Sequence, residues 1–225
     1  MIDVHSHVIP FVDDGSGSLE RSLTLLETAE KDGVTDIVCT PHYRRSSFET
    51  DKATIKENFE LLRLHNTTKI NLYLGQEIAY NPSVFRKIDS GELLTYNGSK
   101  YILLEFHYVD YVDISGVAFE CRIRGLTPVI AHVERYEYLT ADDVEEIRES
   151  GALIQMNASS LMRGSHYRSV AKKYLKRDLV DFIASDIHVG RNYCMSKAYE
   201  FVKKKYGAER AENLFRENAK VLISG

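Results

Sequence analysis

Two histidines sit at i and i+2 in Asp3-Val4-His5-Ser6-His7. On an extended strand alternate side chains share a face, so both imidazoles can be aimed at one point. Imidazole is the commonest metal-ligating side chain near neutral pH, and with Asp3 beside it the stretch reads as the first half of a metal site. A lone pair of this kind is about as often an ordinary surface feature, so the weight falls on later segments. His42 follows the apolar run Ile37-Val38-Cys39-Thr40, and Glu77 follows Leu72-Tyr73-Leu74-Gly75. Glu105 ends Tyr101-Ile102-Leu103-Leu104, His132 ends Val129-Ile130-Ala131, and Asp186 and His188 close Phe182-Ile183-Ala184-Ser185. One apolar run ending in a charge is unremarkable. The same ending repeated along the chain leaves buried charges that need partners, and shared metal ions supply them. The pattern points to a polynuclear metal site.

The elements that must position these groups alternate. Strand-like runs over 2–5, 36–40, 71–75, 101–105, 128–132, 152–157 and 181–185 are rich in Ile, Val, Leu and Tyr without polar alternation, as in buried parallel strands. Helical patterns cover 18–31, 51–64, 113–124, 140–150, 165–176, 195–205 and 208–221. Ser18 and Thr140 are suited to cap helix starts, and Gly33 and Gly151 to close helix ends. This repeated strand–helix alternation predicts one α/β barrel-like domain over 1–225, with the ligand candidates at the C-terminal ends of the strands, where barrel enzymes gather their sites.

The chain has 225 residues, 44% hydrophobic and 28% charged, with a formal net charge of −4. That is a globular composition, and it gives no reason to expect a nucleic-acid or membrane partner. No apolar run approaches the roughly 18 residues of a membrane helix, and the acidic N-terminus does not resemble a signal peptide. Cys39, Cys121 and Cys194 are an odd, scattered set, which predicts a reducing cytoplasm rather than a disulfide scaffold.

The motifs Asp3-Val-His-Ser-His7, Val12-Asp-Asp-Gly15, Thr40-Pro-His42, Gly75-Gln-Glu-Ile78, Leu104-Glu-Phe106, Ile130-Ala-His-Val-Glu-Arg-Tyr136 and Ala184-Ser-Asp-Ile-His188 run nearly the whole chain in order. Together they resemble the polymerase-and-histidinol-phosphatase (PHP) superfamily, and within it the bacterial tyrosine-protein phosphatases of capsule and exopolysaccharide loci. The resemblance implies a distorted (β/α)7 barrel holding three divalent ions, most often manganese; the mixed nitrogen and oxygen ligands suit iron, zinc or cobalt as well, and magnesium is a further alternative. Carried over by position, it implies His5, His7, Glu77 and Asp186 on one ion. Glu77 would bridge to a second ion, completed by Glu105 and His132, and Asp14, His42 and His188 would hold the third. It implies a protein-tyrosine phosphatase acting on a bacterial tyrosine kinase and regulating polysaccharide synthesis. A small-molecule phosphatase such as a histidinol phosphatase, or a non-catalytic metal-binding PHP module, are the alternatives. The spacer before Arg191 is shorter than in other members, and His107 matches no family position.

Phosphate-ester hydrolysis needs an activated water, neutralised phosphoryl charge and a stabilised leaving group. Metal ions supply the first, since they lower the pKa of water to about 7. Arg135, three residues past His132, can grip phosphate as a planar fork, and Arg191 can do so from the other rim. The plain alternative for Arg135 is a surface pair with Glu134 or Glu137. Phenol, with a pKa of about 10, is a tolerable leaving group; His42 or His188 would be general-acid candidates if not committed to metal. Arg44, Arg45 and Phe48 fall on the expected rim, and Tyr136 and Tyr138 are expected at the substrate entrance. Cys39-x5-Arg45-Ser46 also fits the cysteine-phosphatase pattern. That loop must cradle phosphate with backbone N–H groups, however, and Pro41 has none, so a buried structural thiol is the better reading of Cys39. His65, His166 and the lysine-rich stretches of the later helices read as solvated surface.

Overall fold

The structure is a computed structural model and describes residues 1–224. Its strands are all parallel where they pair in ladders. β1 (Ile2–Ser6), β2 (Asp36–Cys39) and β4 (Asn71–Leu74) form one sheet in the order β1-β2-β4. β3 (His42–Tyr43), β5 (Glu77–Ala79), β6 (Tyr101–Glu105), β7 (Thr127–Ile130), β8 (Leu153–Asn157) and β9 (Phe182–Ala184) form the second, in the order β3-β5-β6-β7-β8-β9. All seven expected runs are strands. The two extra strands continue two of those runs past a break. Thr40 turns its N–H to Ser6 O and Pro41 has none to give, so the chain leaves β2 and restarts one step over as β3. Gly75 breaks β4 in the same way. A Cβ there would stand 3.3 Å from both Thr40 Cγ2 and Val38 Cγ1, so the close approach of the two breaks favours glycine.

The helices lie where periodicity placed them, with one addition. α1 (Leu19–Lys31) is capped by the Ser18 hydroxyl, and α2 (Lys52–His65) by Asp51. α3 (Val84–Asp89) is a short helix the pattern did not announce. α4 (Ile114–Ile123) starts on Asp113, and α5 (Ala141–Glu149) carries a reciprocal capping box between Thr140 and Asp143. α6 (Arg168–Lys176) and α7 (Met195–Tyr206) follow. The expected final helix is broken into α8 (Ala208–Glu212), a π-helical turn over Asn213–Glu217, and α9 (Lys220–Ile223).

Strand residues alternate between two apolar layers, as a period of two requires. Ile37, Cys39, Ile102, Leu104, Ile130 and Ile154 pack into the large core shared with the helices. Val38, Leu103, Val129, Phe182 and Ala184 face a smaller inner cluster, closed by Tyr96, Ala219 and Leu222. Because the strands are parallel, all their C-terminal ends emerge on one side. The register of β1 on β2 slips between Asp3 and Ser6, a bulge of the kind that re-aims side chains beside a site.

Candidate metal centre

Each break and strand end delivers a polar side chain to the same place. The restart of β3 and β5 sets His42 and Glu77 directly side by side in register. Glu77, fully buried, is the hub. Its Oε2 stands 3.2 Å from both His5 Nε2 and His7 Nε2 and 2.8 Å from His42 Nδ1, while its Oε1 is 2.9 Å from His132 Nε2. Glu105 Oε1 reaches 3.7 Å from His132 Nε2. Asp186 Oδ1 lies 3.5 Å from His7 Nε2 and 3.6 Å from His188 Nδ1. On the outer rim, exposed Asp14 approaches His42 and His188 at 3.7 and 3.5 Å. Three groups have ligand atoms within 4.8 Å of one another: His7, Asp14, His42 and His188; His5, His7 and Glu77; His42, Glu77 and Glu105. All nine expected ligands therefore meet at one site.

The way they meet is informative. His42 Nδ1, Glu77 Oε2 and His132 Nδ1 are buried and make no hydrogen bond of acceptable geometry. His132 Nε2 and Glu77 Oε1 are hydrogen-bonded at 2.9 Å, but Glu77 Oε2 faces His42 Nδ1 at 2.8 Å without the angles of donor to acceptor. Atoms so arranged converge on shared points between them, as a ligand set for cations does. His132 and Asp186 add a second sign, since both hold positive φ, at 31° and 51°. Left-handed backbone at a side-chain-bearing residue costs about 1–3 kcal/mol and persists where the surroundings impose it.

Burial opposes charge on Glu77 and Asp186. The His5 and His42 imidazoles nevertheless hold Glu77 well below the usual carboxylate range, and His5 with Arg135 does the same for Asp186. Burial and the neighbouring His7 push His188 down to about 4. Ionised carboxylates and a neutral imidazole are the forms that bind divalent metals.

Several positioning groups were not singled out from sequence, Asp13 appearing there only as part of the Val12-Asp-Asp-Gly15 motif. Asp13 accepts from His7 Nδ1 at 2.7 Å and from the His42 N–H at 2.9 Å, and despite burial the His7 contact keeps its carboxyl at about 2. Gln155 Oε1 accepts from the His132 N–H at 2.7 Å and meets His5 Nδ1 at 3.1 Å. Asn157 Nδ2 donates to Asp186 Oδ2 at 2.8 Å. The imidazole orienter at His7 is the arrangement expected of metal-ligating histidines. Gly15 is required by contact, because a Cβ there would fall 2.2 Å from His7 Cβ and O.

The structure changes some expectations. Asp3 does not join the cluster; it accepts from Ser185 N and from the Ser185 and Tyr193 hydroxyls, tying the Ser185–His188 segment to β1. Arg135 pairs with neither Glu134 nor Glu137. It reaches Asp186 Oδ2 at 2.9 Å, while Glu134 turns away to Asn157 N and Ser160 Oγ. Arg191 also reaches Asp186, more loosely at 3.4 Å and from a half-exposed position. Tyr136 is no entrance residue; it is buried and donates to Ala131 O. Tyr108 takes that place, donating to Glu105 Oε1 at 2.7 Å. Arg44 grips Glu105 Oε2 at 2.6 Å, and Phe48 stacks on His42. His107 is exposed and pairs with Asp110. Cys39 is fully buried in β2, and burial drives its thiol far above the ordinary range. Above the histidine floor, Arg44, Tyr108, Arg135 and Arg191 ring a cleft of about 140 Å³.

Fold and site together define an α/β protein with a candidate metal centre at the C-terminal ends of parallel strands. A family model described as "Capsular polysaccharide synthesis, CpsB/CapC" matches residues 1–224, and the chain belongs to that family. It is 37% identical over 240 residues to the tyrosine-protein phosphatase CpsB of Streptococcus pneumoniae, covering 99% of this chain and 98% of that protein. A solved structure described as YwqE from Bacillus subtilis and CpsB from Streptococcus pneumoniae, "unique metal-dependent tyrosine phosphatases", superposes with a TM-score of 0.92 at 29% identity, covering 99% of this chain and 94% of that one. The histidinol phosphate phosphatase of Lactococcus lactis shares the fold, with a TM-score of 0.60 at 13% identity over 93% of each chain.

Proposed function

We propose that this chain is a metal-dependent protein-tyrosine phosphatase that hydrolyses phosphotyrosine on a bacterial tyrosine kinase and thereby regulates capsular or exopolysaccharide synthesis. The observation that carries the reading is the Glu77 hub, whose buried Oε2 faces His5, His7 and His42 nitrogens within 3.2 Å yet makes no hydrogen bond. Family membership and the names of the full-length relatives point the same way. The unpaired, buried cysteines suit a cytoplasmic protein, and among the described residues no helix is long and apolar enough to cross a membrane.

The ligand assignment follows the motifs. His5, His7, Glu77 and Asp186 would hold one divalent ion; Glu77, Glu105 and His132 would hold a second; Asp14, His42 and His188 would hold a third. Mixed nitrogen and oxygen donors suit manganese, iron, zinc or cobalt and do not suit a calcium cage. The strands form a distorted (β/α)7 barrel in a single domain over 1–225. Supporting closure, the Asp186 N–H donates to His5 O at 2.8 Å and the His7 N–H to Ile187 O at 3.0 Å, joining β1, at the edge of one sheet, to the segment that follows β9, at the edge of the other.

Bound ions would supply Lewis acidity and an acidified water. The chain's own groups do the rest. Arg135, held on Asp186 and backed by Tyr108, presents its fork to the phosphoryl oxygens, and Arg191 closes the opposite rim. His42 faces carboxylates with both ring nitrogens, which supports a ligand role over a general-acid role. Phenolate leaves without a dedicated acid, whereas an alkoxide would need one. Rates on an aryl phosphate, a phosphotyrosine peptide and histidinol phosphate, each before and after chelation and metal add-back, test the reading. Activity untouched by chelator, or confined to histidinol phosphate, would refute it.

A further inference from the structure

The cleft is too small for the substrate. Its volume of about 140 Å³ is under a third of the 470 Å³ of the groove beside it, and every residue lining it is charged, imidazole or phenol, which suits a phosphoryl group. The tyrosine ring and the peptide must lie outside it. Beyond the Arg44–Glu105–Tyr108 wall opens a groove of about 470 Å³, floored by Tyr80, Phe106 and Tyr108. Its rim carries Arg44 and Arg45. The turn that presents them is closed by two backbone bonds, Arg44 N to Phe48 O and Phe48 N to Arg44 O, both 2.8 Å. Arg44 is anchored on Glu105. Arg45 is exposed, and among the described residues no carboxylate pairs with it within 4.0 Å. The nearby acids are already engaged: Glu49 accepts from Ser46 N, and Asp110 pairs with His107.

A turn closed by two backbone hydrogen bonds therefore sets an unpaired guanidinium on a groove that Tyr80, Phe106 and Tyr108 also line, beside the reaction cleft with which it shares Arg44, Glu105 and Tyr108. A guanidinium with no carboxylate partner attracts an acidic side chain brought within a Debye length of it. We propose that the groove is a specificity subsite that takes the peptide segment flanking the phosphotyrosine and selects an acidic side chain there through Arg45. This rests on the phosphatase reading above.

The test compares kcat/KM on phosphotyrosine peptides differing only in Asp, Ala or Lys beside the phosphotyrosine, with an aryl phosphate lacking any peptide as reference. Wild-type enzyme is expected to favour the Asp over the Lys peptide by about fivefold, the scale of one solvent-exposed ion pair, and the preference should shrink as salt rises. Arg45→Glu should abolish or reverse the preference while leaving the aryl phosphate rate unchanged. Equal rates on the Asp and Lys peptides, or a preference that survives Arg45→Glu, overturn the proposal. A preference removed instead by Arg21→Glu, in the groove on the Arg191 side, overturns it too. If no phosphoester is turned over, the phosphatase reading falls by itself. Direct binding of the same peptides to wild-type and Arg45→Glu protein then decides the groove: an Arg45-dependent preference for Asp sustains the subsite, and its absence overturns it.

Discussion

Removing the Arg135 guanidinium separates phosphate binding from metal binding. The residue closes the 3-10 turn Val133–Arg135 that follows β7, four-fifths shielded, with Nη2 2.9 Å from Asp186 Oδ2. At an effective dielectric constant of about 20 a pair at that distance attracts by roughly 6 kcal/mol before desolvation is charged against it. In Arg135→Ala, Asp186 keeps Asn157 Nδ2 at 2.8 Å and Arg191 at 3.4 Å, so its carboxylate is not orphaned. We therefore expect a stability loss of about 2 kcal/mol, the scale of one hydrogen bond to a charged group. Turnover should fall much further, by about 10²–10³-fold, the usual cost of one preorganised charge stabiliser. Arg135→Lys should recover little, because a point charge cannot replace a planar fork. Arg191 is half exposed and more loosely placed, so Arg191→Ala should cost about fivefold or less. The assay is kcat and KM on an aryl phosphate, with bound metal counted by elemental analysis on the same samples. His132→Ala is the control, expected to lose metal and activity together. Near wild-type turnover in a fully loaded Arg135→Ala enzyme would refute the clamp, as would a deeper loss in Arg191→Ala.

Asp13→Ala should weaken metal affinity by about 10–100-fold, the range for groups that orient ligating histidines, because it frees His7 Nδ1 and the His42 N–H; calorimetric metal titration checks it. Gly15→Ala should lower stability by about 1–3 kcal/mol and displace His7, since the new Cβ would fall 2.2 Å from His7 atoms; urea unfolding with and without metal measures both effects. Burial pushes the thiols of Cys121 and Cys194 up to about 12 and about 11, and that of Cys39 higher still. The folded state thus keeps these protons where the unfolded chain loses them, and stability should fall as pH rises above about 8.5. Native protein should resist alkylation at mildly alkaline pH and keep its activity. Rapid labelling of Cys39 with loss of turnover would revive the cysteine mechanism.

How much of this was legible beforehand depended on the range of the interaction. Strand positions were legible because buried parallel strands need uninterrupted apolar runs, and each such run is visible without its neighbours. The helix starts at Ser18, Asp51, Asp113 and Thr140 were legible because a cap bonds within three residues. α3 and the π-helical turn were not, being too short or too irregular to leave a period.

The ligand candidates were legible by type and position, since a charge at the end of a buried run has few other uses. What each of them touches was decided only in three dimensions. Asp3 and Asp14 are both acids beside ligand motifs, yet one braces Ser185 and Tyr193 while the other faces His42 and His188. Asp13, Gln155 and Asn157 act on partners up to 150 residues away, and no local pattern encodes such a bond. Arg135 was expected near phosphate, but its partner Asp186 arrives from β9, fifty residues on, and Tyr108 replaced Tyr136 at the entrance because the Tyr136 hydroxyl is consumed by the backbone. The sequence by itself determined which residues could bind metal and which strands end in them. Only the tertiary structure decided how Pro41 and Gly75 interrupt two strands so that His42 and Glu77 meet, because that shift is set by packing between strands far apart in the chain.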